Sequence, residues 1–322
     1  MMAREWDYWT RNKLNILKDY LPAFCQASRS SSEIIYLDLM AGEPENIGKG
    51  IDELFDGSPR LAMQVNPGFT KLVFCERDPK KSNDLRSDLA SRFPNDQRWR
   101  VVEGDCNIEI DKILNPLAHI SWAPTFAFVD QQAAEVTWET LRKVADFRSR
   151  GKKTELWILM SPAMIIKGVS GTNADGFANQ VDLLYGNNSW RRVLTARQRD
   201  VISPEDFRVE MVNLFRWNLQ NILGYAITAR IPMRMTNNIA LYDMVFATDH
   251  PVGQKIMTEL YRSAADREPM MKREAMARAI NSRTERNSQA TLFEVTPDQL
   301  PVAKFPDWEH YDCWDPTQKP WW

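Results

Sequence analysis

The sequence predicts an α/β fold built around a doubly wound, mostly parallel β-sheet. Three observations support this fold class. Short, almost wholly apolar runs alternate with helical patterns along the first half of the chain, as in parallel sheets covered by helices on both faces. Acidic residues follow four successive apolar runs. Two later runs lie close together, which is typical of an antiparallel hairpin.

Length and composition are those of an ordinary folded, soluble chain. The 322 residues, 43% hydrophobic and 26% charged, can form one large domain with additions or two smaller domains. A formal net charge of −2 does not support a globally basic nucleic-acid binder, so any such surface would be a local patch. The N-terminus lacks the apolar core of a signal peptide, and no run approaches the ~18 apolar residues of a membrane span. We therefore expect a cytoplasmic protein without membrane contact.

The cysteines do not predict a metal site or a disulfide framework. They are widely spaced, form no CxxC pair and are accompanied by only three histidines; they are Cys25, Cys75, Cys106 and Cys313. Structural zinc sites need closely spaced pairs of such ligands. Reduced thiols in a cytosolic protein are the simpler interpretation.

The first predicted element is an amphipathic helix over residues 9–21. Leu14 and Leu21 follow helical spacing, Thr10 is a candidate N-cap, and Pro22 is expected to end the helix. A polar stretch then separates this helix from the first strand.

Five strands separated by helical patterns are predicted next. Each strand is short and nearly all apolar inside, which is typical of strands with both faces covered. The strands are expected at residues 34–39, 71–76, 99–102, 125–130 and 155–160, and the helices at 80–92, 109–114 and 139–150.

The second half of the chain predicts a terminal hairpin after a long insertion. Residues 224–232 and 239–248 form two strands joined by a short polar turn, which favours antiparallel pairing. Residues 161–220 are too long for a simple crossover, and we interpret them as a mainly helical insertion over the carboxyl edge of the sheet. Five parallel strands and a terminal hairpin are the strand inventory of the class I methyltransferase fold, a Rossmann-like sheet. A dehydrogenase sheet would stay parallel.

A C-terminal extension is expected beyond residue 250. Helices are predicted at residues 251–264 and 268–281, followed by an acidic tail rich in proline and tryptophan. The tail indoles are expected to anchor it in a groove of its own domain or of a partner. We therefore assign residues 1–250 to a Rossmann-like domain and 251–322 to the extension. The tail tryptophans are Trp308, Trp314, Trp321 and Trp322.

An acidic residue ends each of four consecutive predicted strands. In open parallel sheets, ligands bind outside the carboxyl ends of the strands. Turn chemistry alone predicts scattered Gly, Asn and Asp at such positions, but not an acid at all four. A ligand site is therefore favoured over a purely structural explanation. The four acids are Asp38, Glu76, Asp105 and Asp130.

S-adenosylmethionine fits these groups. Its ammonium group and ribose hydroxyls need hydrogen-bond acceptors, and a loop of small residues allows close backbone approach. Asp38 and Gly42 would face the amino-acid end, and Glu76 would accept from the ribose hydroxyls. Asp105 suits the adenine edge. Because no GxGxxG motif follows the first strand, dinucleotide-dependent hydride transfer is less favoured. The candidate cofactor-binding residues are Asp38, Ala41, Gly42, Glu76, Asp78, Asp105 and Cys106.

The chain resembles the three-Cys-motif partner proteins. The resemblance rests on the order and coverage of short matches from about residue 9 to residue 293. They include Trp9-Thr10, Lys13-Leu14, Asp38-Leu39, Ala41-Gly42, Gly57-Ser58-Pro59, Glu76, Asp78-Pro79, Gly104-Asp105-Cys106-Asn107, Val129-Asp130, Trp138, Thr248-Asp249-His250 and Leu292-Phe293. The resemblance implies a Rossmann-type methyltransferase fold. It also implies a separate partner that carries a three-cysteine motif of the radical S-adenosylmethionine kind.

Two departures from the family pattern fall at the predicted site. Ala-Gly-Pro-Gly after the first strand is here Ala41-Gly42-Glu43-Pro44, which loses a glycine and places a carboxylate near the anionic end of the cofactor. Asp-Pro-x-Gly at the fourth strand is here Asp130-Gln131-Gln132-Ala133, without the proline that amino-group methyltransferases use around a target nitrogen. Asp130 is the candidate catalytic residue. Gln131 and Gln132 are candidates for hydrogen bonds to a base or an amide.

A second candidate contact surface combines arginines with an aromatic residue. Arg191 and Arg192 follow Trp190, a combination that can contact phosphate and stack on bases. A solvated helix face explains the same residues equally well.

Two functional hypotheses follow. The first is an S-adenosylmethionine-dependent methyltransferase that works with a three-Cys-motif partner and has nucleic acid as a candidate substrate. The second is a catalytically inactive Rossmann-fold subunit that binds its partner or nucleic acid. Glu43-Pro44 and the missing proline after Asp130 favour the second.

Overall fold

The computed structural model describes residues 5–6, 8–48, 54–286, 295–301 and 313–318. Leu292-Phe293 and the tail residues Trp308, Trp321 and Trp322 lie outside these ranges. Within them, a helix that is both long and apolar enough to cross a membrane is not found.

Ten strands are present in the described residues. In chain order they are β1 (Glu5–Trp6), β2 (Ile35–Asp38), β3 (Glu45–Gly48), β4 (Leu54–Asp56), β5 (Lys71–Glu76), β6 (Trp99–Glu103), β7 (Thr125–Val129), β8 (Glu155–Met160), β9 (Ile227–Arg234) and β10 (Ala240–Thr248).

A seven-stranded sheet forms the centre of the fold, in the order β6-β5-β2-β7-β8-β10-β9. The first five of these strands are parallel, and β10 runs antiparallel to both β8 and β9. Numbered within the sheet, this order is 3-2-1-4-5-7-6, the topology of the class I methyltransferase fold. The predicted fold class and its terminal hairpin are therefore confirmed.

In the described ranges, ten α-helices surround the sheets. They are α1 (Tyr8–Ala27), α2 (Ser58–Met63), α3 (Pro79–Arg92), α4 (Cys106–Leu114), α5 (Trp138–Ala145), α6 (Pro162–Val169), α7 (Ala174–Tyr185), α8 (Trp190–Gln198), α9 (Pro204–Asn221) and α10 (Pro251–Arg286).

The helices divide between the two faces of the central sheet. Helices α1, α2, α3 and α10 share a hydrophobic core with one face. Helices α4 to α9 share a second core with the other face. The insertion is therefore helical, as predicted, but it packs mainly on this face of the sheet rather than over its carboxyl edge. Because both faces are covered, every residue of β2, β7 and β8 is buried.

Two helices contain a proline at which the sequence predicted a helix end or a break between helices. Helix α1 begins before Thr10 and continues past Pro22, and Phe24 beyond the proline is buried in the core. This packing offsets the backbone hydrogen bond that an interior proline removes. Helix α10 likewise contains Pro269, where two helices were predicted.

Helix α5 ends earlier than predicted, at Ala145. The following residues include Arg150 and Gly151, whose φ angles of +62° and +67° are incompatible with a continuing right-handed helix.

A small three-stranded sheet, not predicted from the sequence, lies beside the central one in the order β1-β3-β4. It is tied to the main fold by Arg60 of α2, whose side chain is buried. Arg60 pairs with Glu45 of β3, with Asp56 of β4 at 3.3 Å, and with both carboxylate oxygens of Asp88 on α3 at 2.5 and 2.9 Å. We call these four residues the Arg60 cluster.

Part of the tail packs on the insertion. The Trp314 indole donates to Glu210 at 3.0 Å, and the Asn213 side-chain amide donates to the Trp314 carbonyl at 2.7 Å. Both partners belong to α9. Trp314 thus anchors residues 313–318 in a groove of their own chain, one of the two places predicted for the tail.

Candidate functional site

A cleft of about 660 Å³ opens along the carboxyl edge of the central sheet. Residues that follow β6, β5, β2, β7 and β8 line it. The first residues of β10 also reach this edge because that strand runs in the opposite direction. From β6 to β10 the edge spans five strand spacings, or roughly 24 Å. We call its two parts the β6–β2 half and the β7–β10 half.

Asp38 lies beneath the cleft rather than on its wall, because its side chain is completely buried. The Tyr36 hydroxyl and the Met40 backbone N–H donate to its two oxygens at 3.2 and 3.3 Å, and Ser58 donates as well. Burial raises the pKa of Asp38 to about 7, opposed by the Ser58 hydrogen bond and reinforced by the nearby charge of Asp130. The structure therefore places Asp38 as a support for residues that line the cleft.

The loop after β2 forms the wall at the centre of the cleft. Gly42 adopts a φ of +66°, where an added Cβ would meet no atom within 4 Å. Pro44, at the position of the family's second glycine, does not adopt positive φ, so this loop conformation does not need a glycine there. The Glu43 carboxylate lies 3.5 Å from Lys81, which offsets its charge. Gly57 packs so closely on this loop that a Cβ would lie 2.3 Å from the Glu43 carbonyl oxygen.

Glu76, at the end of β5, is fixed by two backbone donors. The Gly42 N–H donates to one carboxylate oxygen at 2.9 Å and the Asp78 N–H donates to the other at 2.8 Å. Since each carboxylate oxygen can accept a second hydrogen bond, Glu76 presents two oriented acceptors to the cleft. Asp78 itself caps α3 by accepting from the Lys81 N–H at 3.0 Å. This bond holds the pKa of Asp78 below its usual value.

Asp105 and Cys106 end the β6–β2 half. Asp105 caps α4 by accepting from the backbone and side-chain N–H groups of Asn107, both at 2.8 Å. Cys106 is buried, and burial raises the pKa of its thiol to about 12. This thiol is therefore neutral and forms part of an apolar wall.

Asp130, at the end of β7, forms an ion pair with Lys13 of α1. The lysine side chain is only 5% exposed, whereas that of Asp130 is 28% exposed and opens into the cleft. The Lys13 ammonium also lies 5.7 Å from the centre of the Tyr242 ring. An acid and an amine thus stand side by side in the β7–β10 half, with a cation–π contact behind them.

The two glutamines after Asp130 have different positions. Gln131 is 1% exposed; its amide donates to the Leu159 carbonyl at 3.0 Å and accepts from the Glu135 and Val136 N–H groups at 3.1 and 3.2 Å. These contacts use Gln131 to hold the loop, so its amide is not available to a substrate. Gln132 is exposed and lines the cleft.

The predicted arginine–tryptophan surface lies on α8, away from the cleft-lining residues. Trp190 is completely buried and its indole donates to Asp182 at 2.7 Å, so it cannot stack on a base. Arg191 pairs with the same carboxylate at 2.8 Å and lies 5.3 Å from the Trp190 ring centre. Arg192 is exposed. The stacking role predicted for Trp190 is therefore wrong, because the indole is part of the core of the insertion.

Several cleft residues were not predicted from the sequence as site residues. Trp9, Thr10 and Lys13 come from the first turns of α1, and Leu241 and Tyr242 from the start of β10. The signal for the helix was present in the family resemblance, which includes Trp9-Thr10 and Lys13-Leu14. The direction of β10, which brings its first residues to the cleft, was predicted by the hairpin.

The chain shows distant similarity to several solved structures. No protein-family model and no curated protein matches the chain. The chain is similar to a dimethyladenosine transferase from Plasmodium falciparum, with 10% identity over 89% of this chain and 82% of the other and a TM-score of 0.36. It is also similar to TYW2 of M. jannaschii in complex with AdoMet, with 9% identity over 71% of this chain and 74% of the other and a TM-score of 0.32. A third similar structure is spermidine synthase from Thermotoga maritima, with 12% identity over 76% of this chain and a TM-score of 0.38. The match covers 62% of that enzyme, so the chain spans about three fifths of its length. Likenesses at this level carry no information about the ligand of the cleft.

Proposed function

We propose that the chain is an S-adenosylmethionine-dependent methyltransferase whose cofactor lies in the β6–β2 half of the cleft. The observation that carries this proposal is the fixed carboxylate of Glu76, held by the Gly42 and Asp78 N–H groups at 2.9 and 2.8 Å. Two oriented acceptors at the end of β5 suit the two hydroxyls of a ribose. Gly42, beside them, leaves the backbone open to close approach.

The remaining residues of this half fit the same ligand. Ala41 is small, and its N–H donates to the Cys75 carbonyl at 2.8 Å, which holds the loop against β5. Beyond Glu76, the neutral Cys106 thiol offers an apolar surface to a planar base, and Asp105 lies at the edge of that surface. Bound S-adenosylmethionine would supply an electrophilic methyl group. Asp130 would orient the acceptor, or take its proton, from the β7–β10 half.

A catalytically inactive subunit is the second candidate function. The observation that favours it is that Asp130 is already paired with Lys13. The two candidates differ in methyl transfer, whereas both allow cofactor binding.

A three-Cys-motif partner is proposed from the sequence resemblance, whose matches extend along most of the chain. Co-expression with a protein that carries such a motif, followed by size-exclusion chromatography, tests this part. Elution as two separate species would contradict it.

Calorimetry tests the cofactor proposal. S-adenosylmethionine and S-adenosylhomocysteine should both bind, and Glu76→Gln should weaken binding about tenfold because one ribose hydroxyl loses a charged acceptor. Glu139→Gln, which alters an exposed glutamate on α5 paired with Arg142, is the matched control and should leave binding unchanged. Absence of binding at millimolar ligand would refute the proposal, and an unaffected Glu76→Gln variant would refute the site.

A further inference from the structure

We infer that the Lys13–Asp130 pair selects a methyl acceptor with an amidine edge, meaning an amino group next to an unprotonated ring nitrogen, as on an unpaired adenine or cytosine. This inference rests on the proposed function and adds the substrate class. Its basis is the pairing of one hydrogen-bond acceptor with one donor in the β7–β10 half of the cleft.

The pair carries opposite hydrogen-bonding polarity at neighbouring positions. The Asp130 carboxylate only accepts, whereas the Lys13 ammonium has three N–H donors and spends one on Asp130. A ligand that matches both must present a donor facing Asp130 and an acceptor facing Lys13. An amino group beside a ring nitrogen does so with a single edge.

Replacement of the amino group by a carbonyl reverses both contacts. In uracil or hypoxanthine, a carbonyl oxygen would face the Asp130 carboxylate and a ring N–H would face the Lys13 ammonium. The base oxygen and the Asp130 carboxylate would then be two opposed acceptors, and the ring N–H and the Lys13 ammonium two opposed donors. All four groups would lack a hydrogen-bond partner in a partly desolvated site. Sites built to hydrogen-bond a substrate group strongly reject analogues that lack it.

The walls of this half fit a flat ring better than a flexible amide. Trp9 is half-buried and lines the cleft, and its indole is held edge-on against Tyr8 with ring centres 5.4 Å apart. Leu159, Leu241 and Met164 line the cleft as well. Because every base has a π-face, an indole at a cleft wall can stack on it. These walls favour a nucleobase over a glutamine side chain with the same donor and acceptor.

On this assignment, methyl transfer releases one proton from the acceptor, and Asp130 can take it. The amino nitrogen forms a bond to the methyl carbon while the carbon–sulfur bond breaks, and the sulfur keeps that electron pair. The proton released from nitrogen passes to the Asp130 carboxylate and then to solvent through the cleft opening. Lys13 does not react; it is a positioning residue that holds Asp130 and the ring nitrogen.

Competitive binding to short oligothymidylates tests this inference. Each probe carries one central base, and the matched pairs are cytosine with uracil and adenine with hypoxanthine. With S-adenosylhomocysteine present, the amino-bearing probe of each pair should bind about tenfold or more tightly, the worth of one or two unmatched polar groups. Lys13→Met should reduce that ratio to about one.

Two controls separate base selection from a merely structural role of the pair. Lys143→Met breaks a lysine–aspartate pair between α4 and α5, outside the cleft-lining residues, and should keep the full ratio. Lys13→Arg keeps the positive charge and should keep most of the affinity ratio between the two probes of a pair. If Lys13→Met weakens all probes equally while their ratio stays unchanged, the pair is structural and the inference fails.

The remaining outcomes are also decisive. Equal affinity for both probes of a pair, or no binding of any probe, overturns the inference. Preferential binding of a glutaminyl peptide overturns it in favour of an amide acceptor. S-adenosylhomocysteine binding is measured first by calorimetry. Its absence refutes the proposed function, whereas its presence with no base discrimination refutes this inference alone.

Discussion

Asp38→Asn is expected to change how the stability of the protein depends on pH. Asp38 is completely buried beneath the cleft, and burial raises its pKa from 3.8 to about 7. The unfolded chain exposes the same carboxyl group, which returns to its ordinary pKa. Because the folded pKa is the higher one, the unprotonated form destabilises the folded state.

The magnitude follows from these two pKa values. The stability that Asp38 contributes is fully present below pH 3.8 and is lost as the pH rises through about 7. Between the two pKa values the unfolded state has released the proton and the folded state has not, so each pH unit lowers the free energy of unfolding by about 1.4 kcal/mol. From pH 5 to pH 8 the free energy of unfolding therefore falls by about 2.5 kcal/mol. Asparagine cannot ionise, so the variant avoids this loss. Its altered hydrogen bonds to Ser58 and Met40 have a cost that does not vary with pH.

Urea unfolding of the wild type and of the Asp38→Asn variant at pH 5 and pH 8 measures this loss of stability. The free energy of unfolding of the wild type, relative to Asp38→Asn, should fall by about 2.5 kcal/mol between the two pH values. Asp78→Asn is the control of opposite sign. The pKa of Asp78 is lowered by its capping hydrogen bond, so its contribution is lost only as the pH falls below the range tested. A relative stability of Asp38→Asn that is the same at pH 5 and pH 8 would refute the reasoning.

Two further predictions concern the loop after β2 and the Arg60 cluster. Gly42→Ala and Gly151→Ala should each lower the free energy of unfolding by about 1 kcal/mol, since both glycines have φ near +66° and space for a Cβ. Calorimetry should show weaker S-adenosylhomocysteine binding only for Gly42→Ala, and equal effects on binding would contradict the site. Arg60→Met should cost about 2 kcal/mol in urea unfolding, reduced from the value for a fully buried pair because Asp88 and the other acids are partly exposed. Arg142→Met, at an exposed pair, should be neutral; equal losses for both would contradict the role of the cluster.

The central sheet was predictable because its signals are local. An apolar run such as residues 125–129 is buried on both faces, which the alternation of strand and helix patterns already indicates. The hairpin followed from the short polar turn between two such runs. The prolines misled because their effect depends on tertiary packing: Pro22 breaks one backbone hydrogen bond, whereas burial of Leu21 and Phe24 on either side keeps the helix together.

The β7–β10 half of the cleft was less predictable because it depends on contacts between distant segments. Lys13 and Asp130 are 117 residues apart, and only the packing of α1 on the sheet brings them together. Trp190 shows the opposite case. Two arginines follow it in the sequence, a combination that can contact nucleic acid, yet the residue faces the interior of the insertion, where Asp182 accepts from its indole.

The four strand-end acids, which predicted a ligand site, have four different roles in the structure. Asp38 is buried beneath the loop and Asp105 caps a helix, as any turn-forming acid could. Glu76 is the acid whose oxygens two backbone donors orient toward the cleft, and Asp130 is the one that a buried ammonium holds at the cleft wall. Residue type and order show that acids gather at this edge, but their hydrogen-bond partners decide which of them can contact a ligand. Under the proposed function, Glu76 lies on the cofactor side of the cleft and Asp130 on the acceptor side, and loss of cofactor binding on substitution of Asp130 rather than Glu76 would reverse that assignment.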